Sequence, residues 1–243
     1  SQINILYKLK EWKRTIDKTM EVLTTDSIPL LYSLAGDCYW QIEKNDSAVH
    51  YYKKTLALAP EDYNTTFKLA KIYLQTQRYN EMISCTNDYI SIDSTNKTIN
   101  QYNGIGYCFV QEFEKAIDRL SKLYNDGDKS FTTNYFLGAS YFGIQDYYPA
   151  YEHLTEAYDV DSTNLNLLYY LGRSAILSGK FQKGTAALQK GLEVMTPKDS
   201  VLYNYHSTLA LGYSRWSKHQ EAIQHYEACL KLKPEIKMTM YSI

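Results

Sequence analysis

The side chains that most often carry out catalysis or bind metals, histidine and cysteine, are scattered along this sequence. Of the five histidines, only His219 and His225 lie close together, and a spacing of six does not place two side chains on one helix face. The four cysteines contain no Cys-x-x-Cys pair, so we interpret them as small buried hydrophobic residues. They are Cys38, Cys85, Cys108 and Cys229.

Motifs that define common catalytic and nucleotide-binding sites do not occur in the sequence. There is no His-Glu-x-x-His zinc motif, no glycine-rich phosphate loop and no nucleophile elbow. The Gly104-Ile105-Gly106 sequence lacks a third glycine and a preceding strand, so it is not a dinucleotide fingerprint. We therefore expect a non-enzymatic protein with no catalytic residues, no cofactor and no metal centre.

Charge and hydropathy exclude two further classes of function. The 243 residues include 26 basic and 27 acidic side chains, which gives a net charge of −1. No cluster of lysine or arginine is present, so the sequence does not predict binding to nucleic acid. No apolar run approaches the roughly 18 residues that a membrane-spanning helix needs.

A period of 34 residues organises the chain. Small residues recur at this spacing at Gly36, Ala70, Gly104, Gly138 and Gly172. A tyrosine follows three residues after each of the first four, at Tyr39, Tyr73, Tyr107 and Tyr141. Within 131–164 the apolar residues fall on one face of each of two helices, with a turn at Gly143–Asp146. The small residue lets the two helices approach closely, and the tyrosine fills the space beyond it.

This pattern resembles the tetratricopeptide repeat (TPR) family, in both its period and its small and aromatic positions. The best match is the stretch 32–60, which has Tyr32, Gly36, Tyr39, Ala48, Tyr52 and Pro60 at the family's spacing. The resemblance implies an all-α, right-handed superhelical solenoid of antiparallel helix pairs, with about thirteen helices and essentially no strand.

We expect a single solenoid over 1–243, built from one partial repeat, six repeats and the start of a further helix. The partial repeat is 1–28, the repeats are 29–62, 63–96, 97–130, 131–164, 165–198 and 203–236, and the further helix begins in 237–243. Four extra residues near 197–202 break the period, and we expect the following helix to start near Asp199 or Ser200. Both ends lack a polar capping helix, which suggests a segment of a longer protein or self-association through the open ends.

The third repeat departs most from the pattern. Asn100 and Asn103 occupy positions that are apolar in its neighbours, and Gly104 and Gly106 lower helix propensity. A buried amide without a partner costs roughly 1–3 kcal/mol. We therefore predict that the helix near 98–110 is the least protected interior helix.

The resemblance also implies a concave groove, lined by the first helix of each pair, in which a peptide or a helix from a partner protein docks. We predict that the groove residues are Phe67, Lys71, Ile105, Tyr135, Phe142, Tyr169, Arg173 and Ile176. Gly143 is expected to leave space beside Phe142 for an apolar anchor of the partner. Ser33 and Asp37 stand where one class of TPR proteins has the Lys and Asn of a carboxylate clamp, so a receptor of that class is not predicted.

The main functional hypothesis is a protein–protein interaction scaffold, with two alternatives. One is a sensory or regulatory arm of a larger protein, and the other is an accessory subunit of a bacterial cell-envelope assembly. The second alternative rests on Asp-Ser-x triplets such as 161–163, which resemble O-glycan acceptors but also suit turns and helix N-caps. The sequence does not separate the bacterial periplasm from the cytoplasm.

Overall fold

The computed structural model describes residues 2–196 and 201–234, and over these ranges the chain forms fourteen α-helices and no strand. The all-α prediction is therefore confirmed. The helices are α1 Gln2–Lys8, α2 Trp12–Leu23, α3 Pro29–Gln41, α4 Asn45–Leu58, α5 Tyr63–Gln75, α6 Tyr79–Ile90, α7 Lys97–Phe109, α8 Phe113–Asn125, α9 Phe131–Gly143, α10 Tyr147–Val160, α11 Leu165–Leu177, α12 Phe181–Val194, α13 Leu202–Arg215 and α14 His219–Leu232.

The turn inside each repeat ends the first helix in the same way. In each repeat one residue adopts a left-handed conformation, with φ between 57° and 81°. The backbone N–H of the following residue then donates a hydrogen bond to the carbonyl of the residue five positions before it, which is the recurring tyrosine in five of the six repeats and Ala175 in the fifth. In the first repeat, for example, the amide of Lys44 donates to the carbonyl of Tyr39 at 2.9 Å. This bond closes a Schellman-type cap that satisfies carbonyls at the helix end. The left-handed residues are Glu43, Gln77, Gln111, Gln145, Gly179 and Ser217.

The start of several first helices is also set by a residue that recurs every 34 positions. The side chains of Asp62, Asn96, Ser130 and Asn164 each accept a hydrogen bond from the backbone N–H three residues later. Such N-caps satisfy one of the amide groups that have no partner within the helix. In these four repeats both the start and the end of the first helix are therefore set by local contacts.

Small residues permit the close approach of paired helices that the sequence predicted. A Cβ atom added at Gly138 in α9 would lie 2.6 Å from Cγ of Leu154 and 3.1 Å from the carbonyl oxygen of Ala150, both in α10. Since a real Cβ essentially never sits below 3.0 Å, the paired helices could not keep this distance with a larger residue.

The chain divides into two compact units, with the boundary between Glu112 and Phe113. The core of the first unit includes the fully buried side chains of Tyr52, Leu69 and Met82. The core of the second unit includes Leu154 and Leu188, which belong to one continuous cluster of buried residues. Whether all repeats form one solenoid stays a prediction.

The asparagines of the third repeat are buried, as predicted. Asn100 is 8% exposed, and its amide donates to the carbonyls of Ser94 and Asn96, both at 2.9 Å. Asn103 is fully buried, and its amide donates to Oγ1 of Thr86 at 2.9 Å. Its Oδ1 atom has no hydrogen-bond partner within the described ranges.

Two sequence predictions fall on stretches outside the described residues. Helix α13 begins at Leu202 with Val201 as its N-cap, while the start expected near Asp199 or Ser200 lies within 197–200. The further helix expected in 237–243 lies within 235–243.

Candidate functional site

The structure places the eight predicted groove residues in two different environments. Ile105 is 4% exposed and Ile176 is 1% exposed, so both pack inside the protein and offer little surface to a partner. The other six side chains are half-buried: Phe67, Lys71, Tyr135, Phe142, Tyr169 and Arg173. An exposed ring or charge on a rigid helix is the feature that a partner can use.

The space expected beside Gly143 is occupied, which corrects one prediction from the sequence. A Cβ atom at Gly143 would lie 2.5 Å from two ring carbons of Phe113. Phe113 is the first residue of α8, and its ring lies against the end of α9. The glycine therefore makes room for a side chain of this protein and leaves no gap for a partner.

In the second unit, Arg173 of α11 lies against two aromatic rings. Its guanidinium carbon is 4.8 Å from the ring centre of Phe142 and 5.3 Å from that of Tyr169. Nη1 of Arg173 also donates a hydrogen bond of 3.3 Å to the hydroxyl of Tyr169. We call Phe142, Tyr169 and Arg173 the Arg173 triad. Each cation–π contact contributes roughly 0.5–2 kcal/mol, and together they restrict the rotamers of the arginine.

A cavity of about 220 Å³ opens beside the Arg173 triad, between α11 and α13. It is lined by Tyr169, Arg173, Ile176, Leu177, Ser207, Thr208 and Leu211. The hydroxyls of Ser207 and Thr208 both donate to the carbonyl of Asn204. The cavity therefore offers mainly aliphatic and aromatic surface, with the guanidinium of Arg173 at its edge.

The first unit contains the same arrangement. Nζ of Lys71 in α5 is 5.3 Å from the ring centre of Trp40 and 5.7 Å from that of Phe67. We call Trp40, Phe67 and Lys71 the Lys71 triad. Each member precedes its counterpart in the Arg173 triad by 102 residues, which is three periods of 34. The period places Trp40 at the same groove position as Phe142, but Trp40 is not among the eight site residues predicted from the sequence.

Neither cation of the triads has a carboxylate partner. Among the described residues, no Asp or Glu oxygen lies within 4.0 Å of Lys71 or Arg173. Asp37 occupies the repeat position of Lys71 one period earlier, and its carboxylate accepts hydrogen bonds of 2.6 Å from Nζ of Lys68 and from the hydroxyl of Tyr52. Two half-buried cations are thus fixed by aromatic rings and left without an anionic partner.

Tyr135 belongs to the same aromatic surface of the second unit. Its ring stacks on Phe131 with 5.6 Å between centres and an interplanar angle of 6°. It meets the edge of Tyr170 at 6.4 Å, and Tyr170 in turn meets Phe142 of the Arg173 triad at 5.3 Å. Tyr135 therefore extends the surface away from the arginine.

Side chains that commonly bind metals do not gather into groups of three or more in the part of the chain that the structure describes. No set of three or more His, Cys, Asp or Glu side chains there could hold a metal ion. The cysteines form no disulfide; Cys38 and Cys229 are buried, and Cys85 and Cys108 are half-buried. The described helices include none with the length and hydropathy required to span a bilayer.

The structure pairs two histidines that the sequence did not bring together. Nδ1 of His206 in α13 lies 2.9 Å from Nδ1 of His225 in α14, whereas the sequence drew attention to His219 and His225. Burial lowers the pKa of both imidazoles, and the neighbouring His206 lowers the pKa of His225 further. Only the packing of α13 on α14 could place these rings in contact.

Comparison with known proteins identifies the class of the chain. The family model of the tetratricopeptide repeat matches three stretches, 30–62, 65–96 and 203–236. These three stretches match tetratricopeptide repeats, and the fold of the chain is that of a TPR solenoid, as the 34-residue period predicted. No curated protein matches the chain significantly in sequence.

Solved structures of TPR proteins share the fold at low sequence identity. The C-terminal part of a TPR repeat-containing protein from Cytophaga hutchinsonii has a TM-score of 0.68 and 16% identity, and the match covers 96% of this chain and 95% of that one. YrrB, described as a TPR protein with an unusual peptide-binding site, has a TM-score of 0.66 and 14% identity, with coverage of 79% and 96%. MamA from Desulfovibrio magneticus RS-1 has a TM-score of 0.62 and 14% identity, with coverage of 71% and 97%.

Proposed function

We propose that this chain is a non-enzymatic scaffold that binds peptide segments of partner proteins through its first-helix surfaces, and that it selects segments with acidic groups. The observation that carries this proposal is the repeated triad, in which Lys71 and Arg173 each lie on two rings and have no carboxylate within 4.0 Å among the residues that the structure describes. The TPR fold and the peptide-binding site named for YrrB support the general class of function.

The triads suit acidic groups for a physical reason. A lysine or arginine free in solvent loses much side-chain entropy when it forms an ion pair, which is why exposed pairs contribute only about 0–1 kcal/mol. Here the rings already restrict the cation, so less entropy is lost on binding. The planar guanidinium of Arg173 can also offer two parallel N–H donors to a carboxylate.

The cavity beside the Arg173 triad supplies the second half of the recognition. Its volume of about 220 Å³ and its accessible Leu177 and Leu211 side chains suit one aliphatic or aromatic side chain of a partner. An apolar anchor in a pocket, next to an arginine and aromatic rings, is the usual composition of a binding hot spot. The preferred sequence in this unit therefore places an apolar residue close to Asp, Glu or a terminal carboxylate.

A displayed library of random peptides, selected on the intact protein, tests the proposal. We expect the selected peptides to contain an acidic residue near an apolar one. Fluorescence anisotropy of a synthetic selected peptide would then compare the wild type with a Lys71→Met, Arg173→Met double variant. We expect affinity to fall about thirtyfold or more, since loss of a hot-spot cation costs roughly 2 kcal/mol.

Arg14→Met is the matched control, because Arg14 is exposed in α2 and pairs with Glu11. This variant should bind as the wild type does. Equal affinity of the selected peptides for the double variant and the wild type would refute the assignment of the triads. Selection of peptides without acidic residues would refute the preference for acidic partners.

A further inference from the structure

Most second helices begin with a residue that carries a ring. Of the seven second helices that the structure describes, six begin with an aromatic residue or a histidine. These residues are Trp12, Tyr79, Phe113, Tyr147, Phe181 and His219. The ring of Tyr79 stacks on that of Phe109, thirty residues later at the end of α7, with 4.4 Å between centres and an interplanar angle of 6°. The ring of Phe113 lies against Gly143, also thirty residues later, at the end of α9. In these repeats the ring therefore fills the junction between the start of a second helix and the end of the next first helix.

The first repeat lacks this ring, and its junction is open. Helix α4 begins with Asn45, and Gln75 stands thirty residues later at the end of α5. A cavity of about 550 Å³ lies at this place. It is lined by Trp40, Gln41, Glu43, Asn45 and Gln75. A short amide in the place of a ring thus leaves space at the junction for a ring-sized ligand.

All five lining residues are accessible to a ligand. Gln41, Glu43 and Gln75 are exposed, and Trp40 and Asn45 are half-buried. The side chains of the three amide residues and of Glu43 form no hydrogen bond or ion pair within the described part of the chain. Gln41, Asn45 and Gln75 are terminal residues of α3, α4 and α5, so three helices hold their backbone in place. The cavity therefore presents polar groups that are positioned by the fold and have no partner in it.

The composition of the lining indicates the class of ligand. The indole of Trp40 is the one aromatic surface, and the other four side chains are amides and a carboxylate. Amides both donate and accept hydrogen bonds, and the carboxylate of Glu43 accepts them, which matches hydroxyl groups. The negative face of an indole attracts slightly positive C–H groups. A ligand with one C–H face and hydroxyls around its edge, namely a pyranose sugar, satisfies both requirements.

Charge around the cavity favours a neutral sugar. Glu43 is the one ionisable residue of the lining, and Nζ of Lys71 lies 5.3 Å from the ring centre of Trp40, so one charge of each sign is close by. The volume of about 550 Å³ lies within the range of small-molecule pockets.

We propose that the cavity where α3, α4 and α5 end or begin binds an uncharged pyranose sugar. The sugar ring takes the place that Tyr79 and Phe113 occupy at later junctions. Its C–H face lies on the indole of Trp40, and its hydroxyls bind the amides of Asn45 and Gln75. The site shares the ring of Trp40 with the Lys71 triad but takes a different class of ligand from the peptide proposed above.

Titration of the full chain with the methyl glycosides of glucose, galactose and mannose tests the proposal. Protein NMR resolves the indole N–H signals of the three tryptophans, and the Trp40 signal is assigned by its loss in Trp40→Phe. We expect at least one glycoside to shift the Trp40 signal in a saturable way. The signals of Trp12 and Trp216 should stay in place, which makes them internal controls for the fold.

Asn45→Tyr supplies the ring that the next repeat has and should lower the affinity for the glycoside at least tenfold. Asp46→Tyr is the matched control, because the side chain of Asp46 is 99% exposed and the variant introduces the same ring one residue away. It should keep the binding. Gln75→Met removes one amide at similar length and should weaken binding about threefold to tenfold, as expected for a lost hydrogen bond.

Four outcomes would overturn the site or its ligand. The site is wrong if none of the three glycosides shifts the Trp40 signal, or if Asn45→Tyr binds as the wild type does. The sugar is wrong if N-acetyl-tyrosinamide or adenosine binds more tightly than every glycoside, since the cavity would then take an aromatic ring. Asn45→Tyr should keep its affinity for a selected acidic peptide, because Tyr147 already lies beside Phe142 of the Arg173 triad at 5.5 Å. Loss of the peptide in this variant would assign the cavity to the peptide site instead, so the two proposals fail separately.

Discussion

Gly184→Ala should destabilise the protein, although a glycine replaced by alanine in a helix usually stabilises it. Gly184 lies in the first turn of α12, and a Cβ there would be 2.7 Å from the carbonyl oxygen of Gly172. It would also lie 2.7 Å from Cγ1 and 3.0 Å from the backbone nitrogen of Ile176. Two of these three atoms belong to the backbone of α11, so relief requires the whole helix to move.

The magnitude follows from two opposing effects. Alanine gains up to about 1 kcal/mol of helix propensity over glycine. Inserting a methyl group into a closely packed contact costs about 1–3 kcal/mol, and the upper part of that range applies where backbone atoms must shift. We therefore expect the free energy of unfolding to fall by about 1–2 kcal/mol.

Urea denaturation followed by far-UV circular dichroism measures this change. Gly106→Ala serves as the control, because a Cβ there would meet only side-chain atoms, Cγ1 of Ile83 at 2.7 Å and Cε of Met82 at 3.1 Å. These side chains can adjust, so the change should stay below about 1 kcal/mol in either direction. If Gly184→Ala proves as stable as the wild type, close backbone contact does not fix the spacing of α11 and α12.

Three further predictions concern the aromatic surface, pH and local stability. Tyr169→Ala should lower the free energy of unfolding, measured by thermal melting, by about 1–2 kcal/mol, because the ring is half-buried. The same variant should bind a selected peptide more weakly. A loss of stability of roughly 3–5 kcal/mol with unchanged affinity would mean that the ring serves packing alone. His206 and His225 have lowered pKa values in the folded protein, so the unfolded chain takes up protons first and stability should fall as the pH drops through about 6.5. Urea midpoints against pH should show a shallower fall in a double glutamine variant of these histidines, and an unchanged slope would contradict this. Amide exchange should be faster in α7 than in α9, since the buried Oδ1 of Asn103 is unsatisfied among the described residues, whereas Oδ1 of the buried Asn134 in α9 lies 3.0 Å from Nδ1 of His153; slower exchange in α7 would disprove it.

The sequence by itself determined the class of fold, and local features of each repeat account for where its helices begin and end in the structure. A helix pair is fixed by local features, namely the apolar period, the N-cap and the left-handed residue at the turn, and each of these repeats with the period of 34. The burial of Asn100 and Asn103 followed from the same period, because a position in the repeat also sets its direction relative to the core. Each of these inferences needs only neighbours within one or two turns of the chain.

Only the tertiary structure decided which groove positions remain available and which side chains meet. The period placed Ile105 and Ile176 with the groove residues, but packing between helices buries them. It also left a space at Gly143, which the ring of Phe113 fills from another helix. In both cases the deciding contact comes from a side chain on another helix, which can be 30 or more residues away in sequence. No local sequence pattern specifies which side chain fills a given space.

The candidate sites follow the same division. The two triads stand at groove positions that the period marks, Trp40 included, and five of their six residues were selected as site residues from the sequence. The contact between His206 and His225 arises because α13 packs on α14 and brings together two residues that are nineteen positions apart. The sequence fixes the backbone path of each repeat, whereas the size and charge of the residues that face each other decide whether a position becomes core, cavity or binding surface.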